Sequence, residues 1–219
     1  MAPIPLPFPI VDGEVLPEQP ESALAGQRMW SMRLIVGDNA DEGITFAQHW
    51  AGLRLDAYNR ALSALFGSRG AEAAALYPAH DPASALRGGA DIVADGLFYE
   101  GARALVRAAS ARNSHVFRYL FTEPVHNHPP RHADELRSVF GTLRPDATPQ
   151  ERELSETMMT AWTRFAATGD PNGPGLPVWP RADGLDDPYL AFGLRIAPGA
   201  GFRTRTLDFI QRVRTAAAD

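Results

Sequence analysis

Two compact apolar runs, Met32-Arg33-Leu34-Ile35-Val36 and Val116-Phe117-Arg118-Tyr119-Leu120-Phe121, interrupt a chain that otherwise follows a mostly helical rhythm. Each has the length and the branched or aromatic content of a strand buried in a sheet. The first is bounded by Gly37-Asp38-Asn39, which reads as the loop it empties into; the second precedes a loop holding Pro124, Pro129 and Pro130. Between them, apolar residues from Phe46 and Trp50 to Leu62 and Leu65 recur at helical spacing over Thr45 to Phe66. Ala85 to Ala111 repeats that character through Ile92, Leu97, Phe98, Ala102, Leu105 and Val106, predicting one or two packed helices. The expected class is α/β, mainly helices around a few sheet strands.

Helical periodicity returns from Glu151 to Ala167 through Leu154, Met158, Trp162 and Phe165, and Gly169-Asp170-Pro171-Asn172-Gly173 stops it. Glycine and proline then dominate as far as Pro180, predicting a surface loop, ordered or flexible. A short strand around Tyr189-Leu190-Ala191-Phe192 and a last helix from about Thr206 to Thr215 complete the pattern. Residues 1–20 read as an extended proline-rich arm ending in a turn at Pro17-Glu18-Gln19-Pro20, so no second domain is expected. With 219 residues and 45% hydrophobic content, the chain has material for a sizeable core.

Composition removes several functions. The 21 basic and 26 acidic residues leave a formal charge of −5, and no basic stretch is interleaved with aromatics, which argues against nucleic acid. No apolar run reaches the roughly 18 residues of a membrane span. The opening segment has prolines and no basic region, unlike a signal helix, so the expectation is a cytoplasmic protein without a membrane or secretion route. The absence of cysteine excludes disulfides, thiolate nucleophiles and sulfur-ligated zinc.

Glu42 lies just beyond the first strand and His132 follows the second, where open α/β sheets place their chemistry. An imidazole oriented by a carboxylate can activate a hydroxyl nucleophile, although each residue alone also reads as an ordinary loop side chain. None of the serines occupies a Gly-x-Ser-x-Gly elbow. Ser68, in Gly67-Ser68-Arg69-Gly70, misses by one position and reads as part of the break after a helix; Ser114 and His115 are strand neighbours pointing to opposite faces. His126, His128 and His132, with Glu123, Asp134 and Glu135 nearby, are ligand types suited to zinc. Pro129 and Pro130 break any helix that would align them, so a solvent-facing loop is the plainer reading and no metal or cofactor is assigned. Gly88-Gly89 reads as a flexible joint, lacking the companions of a phosphate loop. Trp162, Phe165 and Met158-Met159 read as core. Trp50 and Phe46 are candidates for a pocket wall, with core burial the leading explanation.

Five pieces occur in order: Val11-Asp12-Gly13 with Leu16-Pro17; Leu34 to Gly43; His132-Ala133-Asp134-Glu135-Leu136 through Val139-Phe140-Gly141; Trp162 to Asn172; and Val178-Trp179-Pro180. Together they resemble the type B carboxylesterase and cholinesterase family of α/β-hydrolases. The resemblance implies that Glu42 is the acid and His132 the general base of a Ser-Glu-His triad acting on a small uncharged or weakly polar ester. It implies structural roles for Asp170-Pro171-Asn172, which shape the loop after a helix, and for Trp179, which packs it down. It also implies that residues 1–219 form the C-terminal part of an α/β-hydrolase domain, without the glycine-rich oxyanion loop or the serine elbow. The chain alone is then expected to be inactive, and a companion chain carrying Gly-x-Ser-x-Gly, or self-association through an open sheet edge, is expected. Two other readings are a non-catalytic cholinesterase-like binding module and a metal-dependent hydrolase using His126, His128 and His132.

Overall fold

Strand β1 (Leu34–Asn39) pairs in parallel with β2 (Val116–Phe121), in register from Leu34 opposite Val116 to Asn39 opposite Phe121. This computed structural model describes residues 9–26, 31–112, 115–182 and 186–218; Ser114 and residues 1–8 of the proline-rich arm lie outside them. Strand β3 (Pro188–Phe192) adds in parallel to β2, and β4 (Ala197–Ala200) closes the sheet antiparallel, giving the order β1-β2-β3-β4. The architecture is mixed α/β, mostly helical around this small sheet.

Contrary to the sequence expectation, Gly37-Asp38-Asn39 belongs to β1 and is not a loop. The ring of Tyr119, opposite Gly37, explains the glycine: a Cβ there would fall 2.2 Å from it. The polar pair that looked like a turn is buried at the end of the strand. Strand β4 escaped detection because Ala197-Pro198-Gly199-Ala200 has no apolar alternation, and it sits at an edge, where proline is tolerated.

Short α1 (Pro20–Ala25) precedes the sheet, and α2 (Leu55–Phe66), α3 (Gly70–Leu76), α4 (Pro82–Ala94) and α5 (Glu100–Ser110) fill the crossover from β1 to β2. Helix α2 begins later than expected: residues 44–50 form two single 3₁₀ turns. One wide π turn, Asp95–Tyr99, joins α4 to α5. After β2 come α6 (Leu136–Val139), α7 (Pro149–Thr168) and, beyond β4, α8 (Thr204–Ala218). Helix α7 starts where a reciprocal Thr148–Glu151 capping box and Pro149 direct it, and stops at Gly169 with φ +79°.

The core lies on both sides of the sheet: Val106 and Ala109 of α5 pack against Val116, Leu34 and Val36, and α7 covers the strands through other residues. Helix α7 sets Leu154, Met158 and Ala161 against Phe117, Phe121 and Phe192, with Trp162 and Phe165 packed alongside, in line with their core assignment. The loop after α7 is ordered: Asn172 accepts from the Trp179 amide at 2.7 Å and donates to its carbonyl at 3.1 Å, and the Trp179 indole donates to Arg118 O at 2.7 Å. A second cluster gathers Trp50, Tyr58, Leu62, Tyr77, Ile92 and, from α8, Phe209. Among the described residues, no helix is long and apolar enough to cross a membrane.

Gly88-Gly89 is not a joint. Both residues are buried inside α4, where a Cβ would lie 2.3 Å from the Tyr58 hydroxyl at Gly88 and 2.2 Å from the Trp50 ring at Gly89. The pair lets a helix backbone rest directly on two aromatic side chains. Gly89→Ala therefore forces Trp50 out of place and should destabilise the fold by about 1–3 kcal/mol, despite alanine's better helix propensity. Urea denaturation measures this, and an unchanged or higher midpoint would refute the packing argument.

Candidate active site

Past the ends of β1 and β2 the two chains stay together. Ala40 N–H donates to Phe121 O at 3.0 Å, Asp41 N–H donates to Pro130 O at 2.9 Å, and Asp41 bridges Arg131 in parallel. The next residue on each side is Glu42 or His132. Although 90 positions apart, they meet with His132 Nδ1 2.6 Å from Glu42 Oε2. The other carboxylate oxygen, Oε1, accepts the Asn39 N–H at 2.8 Å. Both acceptor atoms of the acid are thus committed, one to the imidazole and one to the end of β1.

Burial divides the pair. The Glu42 side chain is 6% exposed and that of His132 46%. Burial raises the Glu42 pKa, while the Asn39 N–H and His132 oppose that rise. With Nδ1 donating to the carboxylate, Nε2 is the imidazole nitrogen left to act as an acceptor. Phe46 and Phe98 flank the ring, at centroid distances of 5.4 and 4.9 Å. Phe46 therefore packs against His132, whereas Trp50 is committed to the core.

Each loop is braced. The Tyr99 hydroxyl donates to Asn39 O at 2.8 Å and accepts the Glu42 N–H at 3.4 Å. Gly43 rests against α4 so closely that a Cβ would lie 1.9 Å from Ala90 O. Arg87 of α4 holds Asp41 at 2.7 Å. On the other side, Val125 and His128 close a two-residue turn in which His126 and Asn127 have φ of 49° and 63°, the signs of a type I′ hairpin. Asp134 then accepts the Arg131 N–H at 2.7 Å, and Ala133 between His132 and Asp134 is left-handed with φ 71°. The Asn39 side-chain amide donates to Glu135, tying the two loops once more.

The remaining candidates are elsewhere. Ser68 is exposed in the turn between α2 and α3. His126 pairs with Arg144, His128 Nδ1 sits 2.8 Å from Pro129 O, and His132 is turned to Glu42. Among the described residues no three His, Asp or Glu side chains converge to hold a metal. Sequence reasoning missed Tyr99, Asn39 and Glu135.

The model of the Carboxylesterase family matches residues 4–210. Carboxylesterase 5A of Felis catus is 27% identical over 233 residues, a match covering 92% of this chain and 42% of that protein. Carboxylesterase 3B of Mus musculus is 41% identical over 88 residues, 36% of this chain and 15% of that one. The solved structure of a PNB esterase superposes with a TM-score of 0.73 at 29% identity, covering 92% of this chain and 43% of that chain. The chain thus spans less than half the length of these proteins.

Behind the pair, buried Asp38 and Arg118 face each other at 3.3 Å. Burial pushes Asp38 up to about 6 from an ordinary 3.8, against the pull of Arg118. The folded state therefore holds this proton more tightly than the unfolded chain: the resulting stabilisation is complete below about pH 3.8 and lost as pH rises through about 6. Asp38→Asn removes that dependence. Relative to the variant, the wild type should lose roughly 1–3 kcal/mol across this interval; chemical denaturation at stepped pH measures it, and parallel stability curves would contradict it.

Proposed function

The chain belongs to the carboxylesterase family, and from that premise we propose that it contributes the acid, Glu42, and the general base, His132, of a Ser-Glu-His triad in a carboxylic-ester hydrolase. The nucleophile and the oxyanion loop come from a polypeptide segment outside these residues. The observation that carries the reading is the 2.6 Å bond from the half-exposed imidazole to the buried carboxylate.

The chemistry follows from that arrangement. Nε2 takes the proton of the serine hydroxyl as its oxygen attacks the ester carbonyl. The imidazolium so formed keeps its Nδ1–H on Glu42, and the poorly solvated setting strengthens the attraction between the two charges. Nε2 then returns the proton to the departing alkoxide, and the same cycle with water releases the acid product. Phe46 and Phe98 give the imidazole an apolar surround, which supports uncharged or weakly polar esters as the substrate class.

The sheet supports a docking position for the missing segment. Leu34 N–H donates to His115 O and Ala40 N–H to Phe121 O, so even-numbered residues of β1 turn their amides toward β2. Ile35 and Gly37, of opposite parity, direct theirs to the open edge of the sheet. A companion strand pairing there would complete the domain; self-association is the competing occupant.

Reconstitution tests the proposal. Mixed with a family polypeptide bearing Gly-x-Ser-x-Gly, the chain should hydrolyse a simple aryl ester, and a fluorophosphonate should label the companion's serine. Glu42→Gln should lower kcat by about 10⁴-fold, as expected when the imidazole loses its orienting carboxylate. An unaltered rate in His132→Ala removes the base assignment. Labelling on Ser68 moves the nucleophile into this chain, and a folded complex that never hydrolyses ester favours a binding module.

A further inference from the structure

Helix α4 passes into α5 without leaving helical geometry, yet at their junction the Glu100 N–H donates to Asp95 O, a bond spanning five residues instead of four. The π turn Asp95–Tyr99 thus carries one residue more than an α-helical turn. In an ordinary helix, adjacent side chains diverge by about 100°, and a single target rarely engages both. Here Phe98 and Tyr99 both reach the Glu42–His132 pair: the Phe98 ring lies 4.9 Å from that of His132, while the Tyr99 hydroxyl bridges Asn39 O and the Glu42 N–H. Neighbouring residues therefore serve opposite members of the pair.

The bridge has a particular geometric value. By the strand's parity, Asn39 directs its N–H and C=O away from β2, at the open edge. Glu42 Oε1 accepts that N–H, and the Tyr99 hydroxyl donates to that C=O. The same phenol also receives the acid's own amide. Backbone and side chain of Glu42 are thereby fixed to one residue of β1, and through it to the sheet. Burial raises the Tyr99 pKa, which keeps the hydroxyl protonated and able to donate.

A helix with an extra residue loses local hydrogen bonding and needs other partners. Side chains from elsewhere in the chain hold it: Tyr77 from before the turn, and Arg203 and Arg214 from more than a hundred positions after it. Fully buried Asp95 receives two bonds from Arg203, at 2.6 and 2.8 Å, and a third from the Tyr77 hydroxyl at 2.8 Å. Arg214 of α8 donates to Gly96 O and pairs with Glu100 at 2.5 Å. Both ends of the wide turn are therefore gripped, at the origin of α8 and two turns or more into it.

We propose that the π turn Asp95–Tyr99 is a positioning element for the acid–base pair, with Tyr99 as the positioning residue of Glu42 and with Arg203 and Arg214 as its lock. The inference rests on the assignment of Glu42 and His132 as acid and base. Tyr99 touches no reacting atom. Its action is on the backbone from which the carboxylate is presented, so its loss alters the strength of the Glu42–His132 bond without removing either partner.

Proton NMR of the full chain tests the two levels separately. In the wild type the Nδ1 proton of His132 should resonate far downfield, and Glu42→Gln should abolish that signal. Tyr99→Phe should move it upfield and speed exchange of the Glu42 amide by about 10-fold or more, with far-UV circular dichroism retained. In the reconstituted enzyme Tyr99→Phe should lower kcat by about 10-fold to 10²-fold, with KM nearly constant. Arg214→Met, remote from the pair, should shift the same resonance in the same direction, and this holds as a test even if Tyr99→Phe does not fold. A resonance and Glu42 exchange rate indifferent to these variants would overturn the positioning role. A wild type without the downfield proton would instead overturn the acid–base assignment.

Discussion

Register between β1 and β2 governs this molecule. Because the strands are parallel and aligned residue for residue, their C-terminal ends arrive together, and two further backbone bonds keep the departing chains side by side. Only then does a 90-residue separation become a hydrogen bond between Glu42 and His132. A slip by one residue would turn alternate side chains to the other face, removing Phe117 and Phe121 from the α7 side and misaligning the two loops. The core and the candidate site are thus consequences of one pairing.

The crossover that parallel pairing demands does more than connect. It must leave β1, climb over one face and return at the start of β2, and it uses that path to press α4 on the Glu42 loop. Gly43 allows contact with Ala90, Arg87 holds Asp41, and Tyr99 bridges the strand end. The ion pairs of Arg203 with Asp95 and of Arg214 with Glu100 join this crossover to the start and body of α8, with both carboxylates buried. Such pairs are weak arguments for stability, because desolvating the charges offsets their attraction.

Much of this was legible in residue order. The apolar strands, the long α7 with its glycine stop, and Glu42 and His132 as residues that follow strands all carry local signals. Errors arose where a residue type has one meaning in a loop and another under close packing. Gly37-Asp38-Asn39 looks like a turn until Tyr119 is placed opposite Gly37; Gly88-Gly89 looks flexible until Trp50 and Tyr58 are placed beneath it. Tyr99 had no local mark at all, since its role depends on which strand end its hydroxyl meets. The ion pairs of Arg203 and Arg214 share that dependence, joining residues whose only relation is spatial.

Ala133 follows His132 directly and adopts φ 71°, a region that an alanine occupies at a cost and a glycine occupies freely. A glycine would relieve the strain, but it would also widen the set of shapes available to the loop. The alanine narrows that set. The segment presenting the imidazole is therefore stiff at the expense of being slightly uncomfortable, a local exchange of stability for constancy of aim.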